Sequence, residues 1–98
     1  MRRRATTGKA IGEAVEELVE KLGIKKKLQE YEAVVRWEEI VGGQIARVTT
    51  ATRITKGTLF VRVKSSAWRN ELTMRKDEIK ERLNNALGGE IVTDIKFH

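Results

Sequence analysis

The sequence predicts an α+β domain: a small three-stranded sheet with helices packed on one face, in the order α-α-β-β-α(α)-β. Three observations carry this. Apolar residues recur every three or four positions over 9–22, 28–48 and 67–87, the spacing of amphipathic helices. Two stretches suited to strands flank a Lys56-Gly57 pair, the pattern of a hairpin. A last stretch, 91–97, alternates apolar and polar residues as a half-buried strand does.

Residues 1–7, MRRRATT, are basic and polar without periodicity and read as a disordered arm, leaving 8–98 as one domain. Ile11, Val15, Leu18 and Leu22 then form an apolar stripe, with Glu13, Glu16, Glu17 and Glu20 on the polar side. Gly23 suits the position just past a helix end, and Lys25-Lys26-Lys27 reads as a basic connector. From Leu28 the stripe is Tyr31, Val34, Trp37, Val41, Ile45 and Val48. It passes through Gly42-Gly43 unbroken, so the spacing predicts one continuous helix with close packing or a kink at the glycines. The bland alternative is a helix ending at Val41 and a strand from Gln44.

Thr49 to Thr55 is rich in β-branched residues and predicts a strand. After the turn, Leu59, Val61 and Val63 point to the core; Phe60, Arg62 and Lys64 point away. Phe60 is the odd member of that outer face: packing residue, or a platform on which a base stacks. Ser66 is a candidate N-cap for the helix from Ala67, with Trp68, Leu72, Ile79, Leu83 and Leu87 as its stripe. The stripe lapses at Thr73–Lys76, where Asp77 is placed to cap a second helix; Gly88-Gly89 ends it. In the last strand Ile91, Ile95 and Phe97 face inward.

Composition narrows the function. The chain has 98 residues, 40% of them hydrophobic, enough for one core. No apolar run approaches the roughly 20 residues of a membrane span, and no apolar region follows the basic N-terminus, so the expectation is a cytoplasmic protein without a membrane partner. Cysteine is absent, which removes disulfides and thiolate zinc sites. The single histidine is the terminal His98, a poor place for a general base or metal ligand. Glu38 and Glu39 are neighbours on a helix and point about 100° apart, so they do not converge on one site. No phosphate-loop, dinucleotide or metal-binding spacing occurs, and the reading is a protein that is not an enzyme and needs no cofactor.

The charge distribution points to a polyanion. Net charge is +6. No acidic residue lies between Glu39 and Glu71, and that window holds Arg47, Arg53, Lys56, Arg62, Lys64 and Arg69. These six account for the whole excess, since the 14 other Lys and Arg match the 14 Asp and Glu. A one-sign block on folded elements is the footprint of nucleic-acid binding. A helix N-terminus adds free N–H groups and partial positive charge. Lys64, Ser65, Ser66 and Arg69 therefore make a candidate phosphate pocket, and Arg53, Lys56, Arg62, Arg75 and Lys76 complete the candidate contacts.

Trp37-Glu38-Glu39-Ile40-Val41-Gly42, the strand Gly57-Thr-Leu-Phe-Val61 and the junction Ser65-Ser-Ala-Trp-Arg-Asn-Glu-Leu72 together resemble the DciA-like family of bacterial replicative-helicase loaders, long a domain of unknown function. The resemblance spans roughly residues 8–98. It implies a fold similar to a type II KH domain, binding to DNA and above all single strands, and partnership with the replicative helicase in DNA replication. KH domains clamp nucleic acid with a Gly-x-x-Gly loop between two helices; the corresponding stretch here, Thr73–Lys76, has no glycine. The functional expectation is a non-enzymatic adaptor binding single-stranded DNA. The alternatives are an RNA-binding module, and a protein-interaction domain using the acidic helix or the open sheet face.

Overall fold

The structure, a computed structural model, describes residues 7–98 as backbone and 10–98 as side chains. The basic arm expected over 1–7 lies outside it except for Thr7, which opens the first helix. The elements are α1 (Thr7–Leu22), α2 (Lys25–Val35), α3 (Trp37–Val41), α4 (Gly43–Ala46), β1 (Thr49–Thr55), β2 (Thr58–Val63), α5 (Ser66–Met74), α6 (Lys76–Leu87) and β3 (Asp94–Phe97). This is the predicted α+β class. The strands lie in the order β1-β2-β3, with β1 antiparallel to β2 and β3 parallel to β2. The parallel pair needs a crossover, which α5 and α6 supply.

One apolar cluster holds the fold. Leu59, Val61, Val63 and Ile95 from the sheet pack with Ala33, Trp37, Val41 and Ile45 from the early helices and Leu72, Ile79, Leu83 and Leu87 from the late ones. Register places these strand residues on a single face, so the helices cover that face. The polar end of Trp37 is satisfied inside the core. Its Nε1–H donates to Thr49 Oγ1 at 2.8 Å, and the Thr49 hydroxyl donates to the Ile45 carbonyl at 2.7 Å.

The continuous helix expected over 28–48 is corrected. Gly42 has φ 91 and ψ 162, outside any helical region, and a second joint falls at Arg36. The stripe survived because α3 and α4 each send residues into one core; periodicity followed the core, not one axis. Lys25-Lys26-Lys27 is the first turn of α2 and not a connector. Tyr31 is exposed, and α2 packs through Ala33, one of the most buried residues. Ser65, not Ser66, is the N-cap of α5: its Oγ accepts from Trp68 N–H at 3.2 Å. Asp77 lies in the first turn of α6, favourably placed for the helix dipole, while Arg75 is the capping position. Gly23 and Gly88 end their helices in left-handed geometry as expected, with φ 68 and 85.

The last strand is shorter than predicted. Hydrogen-bonded pairing with β2 begins only at Asp94, because β2 starts at Thr58. Ile91 and Val92 are buried before it and are held by Asn84 instead. Their N–H groups donate to Asn84 Oδ1 at 3.1 and 2.8 Å, and Asn84 Nδ2 donates back to the Val92 carbonyl at 2.9 Å.

α1 stands apart from this core. Its stripe, Ile11, Val15, Leu18 and Leu22, is 58, 54, 55 and 60% exposed. The helix is regular and amphipathic, but its apolar side meets no partner among the described residues.

Candidate nucleic-acid interface

The sheet has one covered and one open face, and β2 supplies both. Phe60, Arg62 and Lys64 alternate with buried Leu59, Val61 and Val63. Register sets their neighbours. Across β1, Phe60 faces Arg53 and Arg62 faces Thr50. Across β3, Phe60 faces Lys96. The open face thus carries Arg53, Arg62 and Lys96 near the Phe60 ring, with exposed Lys64 just past the end of β2.

Arg53 reaches this face because β1 is bulged. Ala51 pairs with Val61 and Arg53 with Phe60, so two steps on β1 match one on β2. In an unbroken strand Ala51 and Arg53 share a face. The extra residue, Thr52, puts Ala51 against the core and Arg53 outside. Its hydroxyl donates to the Phe60 carbonyl at 3.1 Å. The Arg53 guanidinium carbon lies 3.9 Å from the centre of the Phe60 ring, a cation–π stack.

Among the described strand residues Asp94 is the acidic one, and it lies on this side of the sheet, opposite Thr58. Lys76 Nζ sits 3.2 Å from its carboxylate. That hydrogen bond, with smaller help from the Ile95 N–H and Lys80, holds the Asp94 carboxyl below the usual carboxylate range, against a modest desolvation effect. The pair is partly exposed and adds little stability, but it neutralises the carboxylate.

The nine candidate residues do not form one pocket. Arg53, Arg62 and Lys64 share the open face. Ser65, Ser66 and Arg69 stand where β2 ends and α5 begins; Ser66, Ala67, Arg69, Asn70 and Thr73 line a shallow concavity there. The Arg69 Nε is buried without a hydrogen-bond partner. Lys56 is at the hairpin tip, the opposite end of β2, about 20 Å away by strand length. Arg75 and Lys76 lie at the joint of α5 and α6, and Lys76 meets the start of β3 near that tip. Both are already engaged: Arg75 Nε is 3.7 Å from Glu78, and Lys76 is bound to Asp94. The joint is the single residue Arg75, with no loop between the helices.

Lys96 escaped the sequence reading. The signal was present in the alternation Ile95-Lys96-Phe97, but only the parallel pairing of β3 with β2 sets it beside Phe60.

The family profile described as "Dna[CI] antecedent, DciA" matches residues 10–97. The chain belongs to the DciA family. Similar curated proteins are a UPF0232 protein of Mycobacterium ulcerans, 29% identical over 87 residues, and one of Mycolicibacterium smegmatis, also 29% identical over 87 residues. Each match covers 89% of this chain but 46% and 45% of the relative. The chain therefore spans about half the length of the curated relatives it matches. The DciA family is tied in general to loading of the replicative helicase. Among the described residues no cluster of side chains is arranged to hold a metal ion, and no helix is long and apolar enough to cross a membrane.

Proposed function

We propose that this chain is a non-enzymatic adaptor that holds single-stranded DNA on the open face of its sheet and engages the replicative helicase in DNA replication. The observation that carries the reading is that face: Arg53, Arg62, Lys64 and Lys96 together, with the carboxylate of the strand residue Asp94 paired to Lys76. The strand continues over the β2–α5 junction, where Ser65, Ser66 and Arg69 add polar and cationic contacts. Lys56, Arg75 and Lys76 flank the other end. The element order from β1 to β3 supports kinship with type II KH domains. A one-residue joint in place of a Gly-x-x-Gly loop supports backbone binding over the sheet rather than a KH-type clamp.

The test is fluorescence anisotropy of labelled single-stranded DNA, duplex DNA and single-stranded RNA at two salt concentrations. Single-stranded DNA is expected to bind tightest and to weaken with salt, by about 0.7 in log–log slope per phosphate contacted. Reversal of Arg62, Lys64 and Arg69 together to Glu is expected to weaken it by roughly 100-fold or more at low salt. Unchanged affinity in that variant would remove DNA from this face. Tighter binding of RNA would move the protein to RNA metabolism.

The helicase contact is assigned to α1. An exposed apolar stripe of this length marks an interaction surface, and its steps of four, three and four residues suit a partner helix. Glu13, Glu16, Glu17 and Glu20 flank it and favour a basic rim on the partner. Val15→Asp with Leu18→Asp is expected to abolish co-elution with the replicative helicase while single-stranded DNA affinity stays within about twofold. Retained co-elution would exclude α1 as the contact.

A further inference from the structure

We infer that the Arg53–Phe60 stack is a platform for one unpaired nucleobase, so that the open face reads the absence of pairing as well as phosphate charge. This rests on the open-face reading and assigns it a base-binding element.

Phe60 is an aromatic residue placed on the solvent side of a sheet whose other outward residues are polar or charged. Arg53 lies over its ring at 3.9 Å and is itself exposed. A guanidinium held against a ring turns its second planar surface toward solvent. Bases stack on such planes as they do on aromatic rings. The platform is fixed rather than incidental: the Thr52 bulge turns Arg53 outward, and the Thr52 hydroxyl ties the bulge to the Phe60 carbonyl. Arg62, two residues along β2, and Lys96, beside Phe60 on β3, stand on two sides of it. A base seated on the guanidinium would leave its neighbouring phosphates within reach of these two cations. Bases within a duplex are already stacked and paired, and cannot be seated without being extracted. The ring and the guanidinium accept any base, so the platform gives strand selectivity with little sequence preference.

The experiment separates bases from phosphates. Affinity is measured for an oligothymidine and for an oligomer of equal length in which the central residues are abasic, keeping every phosphate. The wild-type protein is expected to bind the base-bearing strand about 5- to 140-fold more tightly, the range for one stacked base. Phe60→Leu keeps an apolar side chain under Arg53 and removes the ring. Arg53→Lys keeps the charge and removes the plane. Phe60→Leu is expected to erase most of the difference by weakening the base-bearing strand, with the abasic strand changed by less than about twofold. Arg53→Lys, at a residue that also meets phosphate, is read by the ratio of the two affinities, which is expected to fall most of the way to one. Wild-type protein binding both strands equally and salt-dependently would overturn the platform and leave the basic face standing. So would variants that weaken both strands alike. Failure of the wild-type protein to bind either strand would instead overturn the face itself, and the platform with it.

Discussion

Gly57→Ala is expected to lower stability by about 2–5 kcal/mol, combining left-handed strain with overpacking. Lys56 and Gly57 form a two-residue turn with φ 50 and 84 between paired Thr55 and Thr58. Both angles are positive, as in the tight turn whose twist matches an antiparallel pair, and glycine is the residue that adopts the second without cost. A methyl group at Gly57 would also stand 2.6 Å from Thr93 Oγ1. The Thr93 backbone is held in place, because its N–H donates to the Gly57 carbonyl at 2.8 Å, so relief must come from turning its side chain. The Gly57 N–H in turn donates to Glu30 Oε2 at 3.1 Å, so the hairpin tip joins α2, β2 and the approach to β3. For a domain of this size the cost corresponds to a Tm drop of roughly 10–30 °C. In a Thr93→Ala background the clash disappears and the strain remains, so about half the loss should return. Equal melting temperatures for the wild-type protein and Gly57→Ala would show that the tip is not held as described.

Thr49→Val is expected to cost about 1–3 kcal/mol although it is nearly isosteric, because it strands a buried donor. Trp37 is 1% exposed, and its Nε1–H has the Thr49 hydroxyl as its partner. Valine fills the same space but accepts nothing, and it also removes the hydroxyl that donates to the Ile45 carbonyl. This short chain fastens α3 and α4 to the first residue of β1, so the loss should appear as lowered stability in denaturant with little change in the slope. Thr49→Ser keeps the hydroxyl and should lose far less, chiefly a methyl group. If Val and Ser variants unfold at the same denaturant concentration, the hydrogen bond is not what matters at this position.

The two sites differ in how they are written in the chain. The hairpin turn and the alternation of β2 were legible, since a Lys-Gly turn beside an alternating stretch depends on local sterics; the bulge at Thr52 was not. The final helices were legible too, as two helices meeting at 73–76 and ending at Gly88. The Trp37–Thr49 bond was not, because nothing in a stripe of apolar residues says where an indole N–H finds its acceptor. The same holds for Ala33, which replaced Tyr31 on the buried side of α2, and for the break at Gly42. Apolar spacing reports that residues share a core, and successive short helices can satisfy it as well as one long one.

By itself the sequence determined the α+β class, the hairpin turn with the inward and outward residues of β2, the acid-free basic window and the motifs shared with the DciA family. These are local or compositional properties, fixed by steric preference, alternation and charge count. The tertiary structure decided which charges meet. A one-residue bulge turned Arg53 outward onto Phe60, parallel pairing brought Lys96 beside them, and the crossover carried Arg75 and Lys76 to the far end, into ion pairs with Glu78 and Asp94. Register and crossover arise from contacts between residues distant in the chain, and no local pattern carries them.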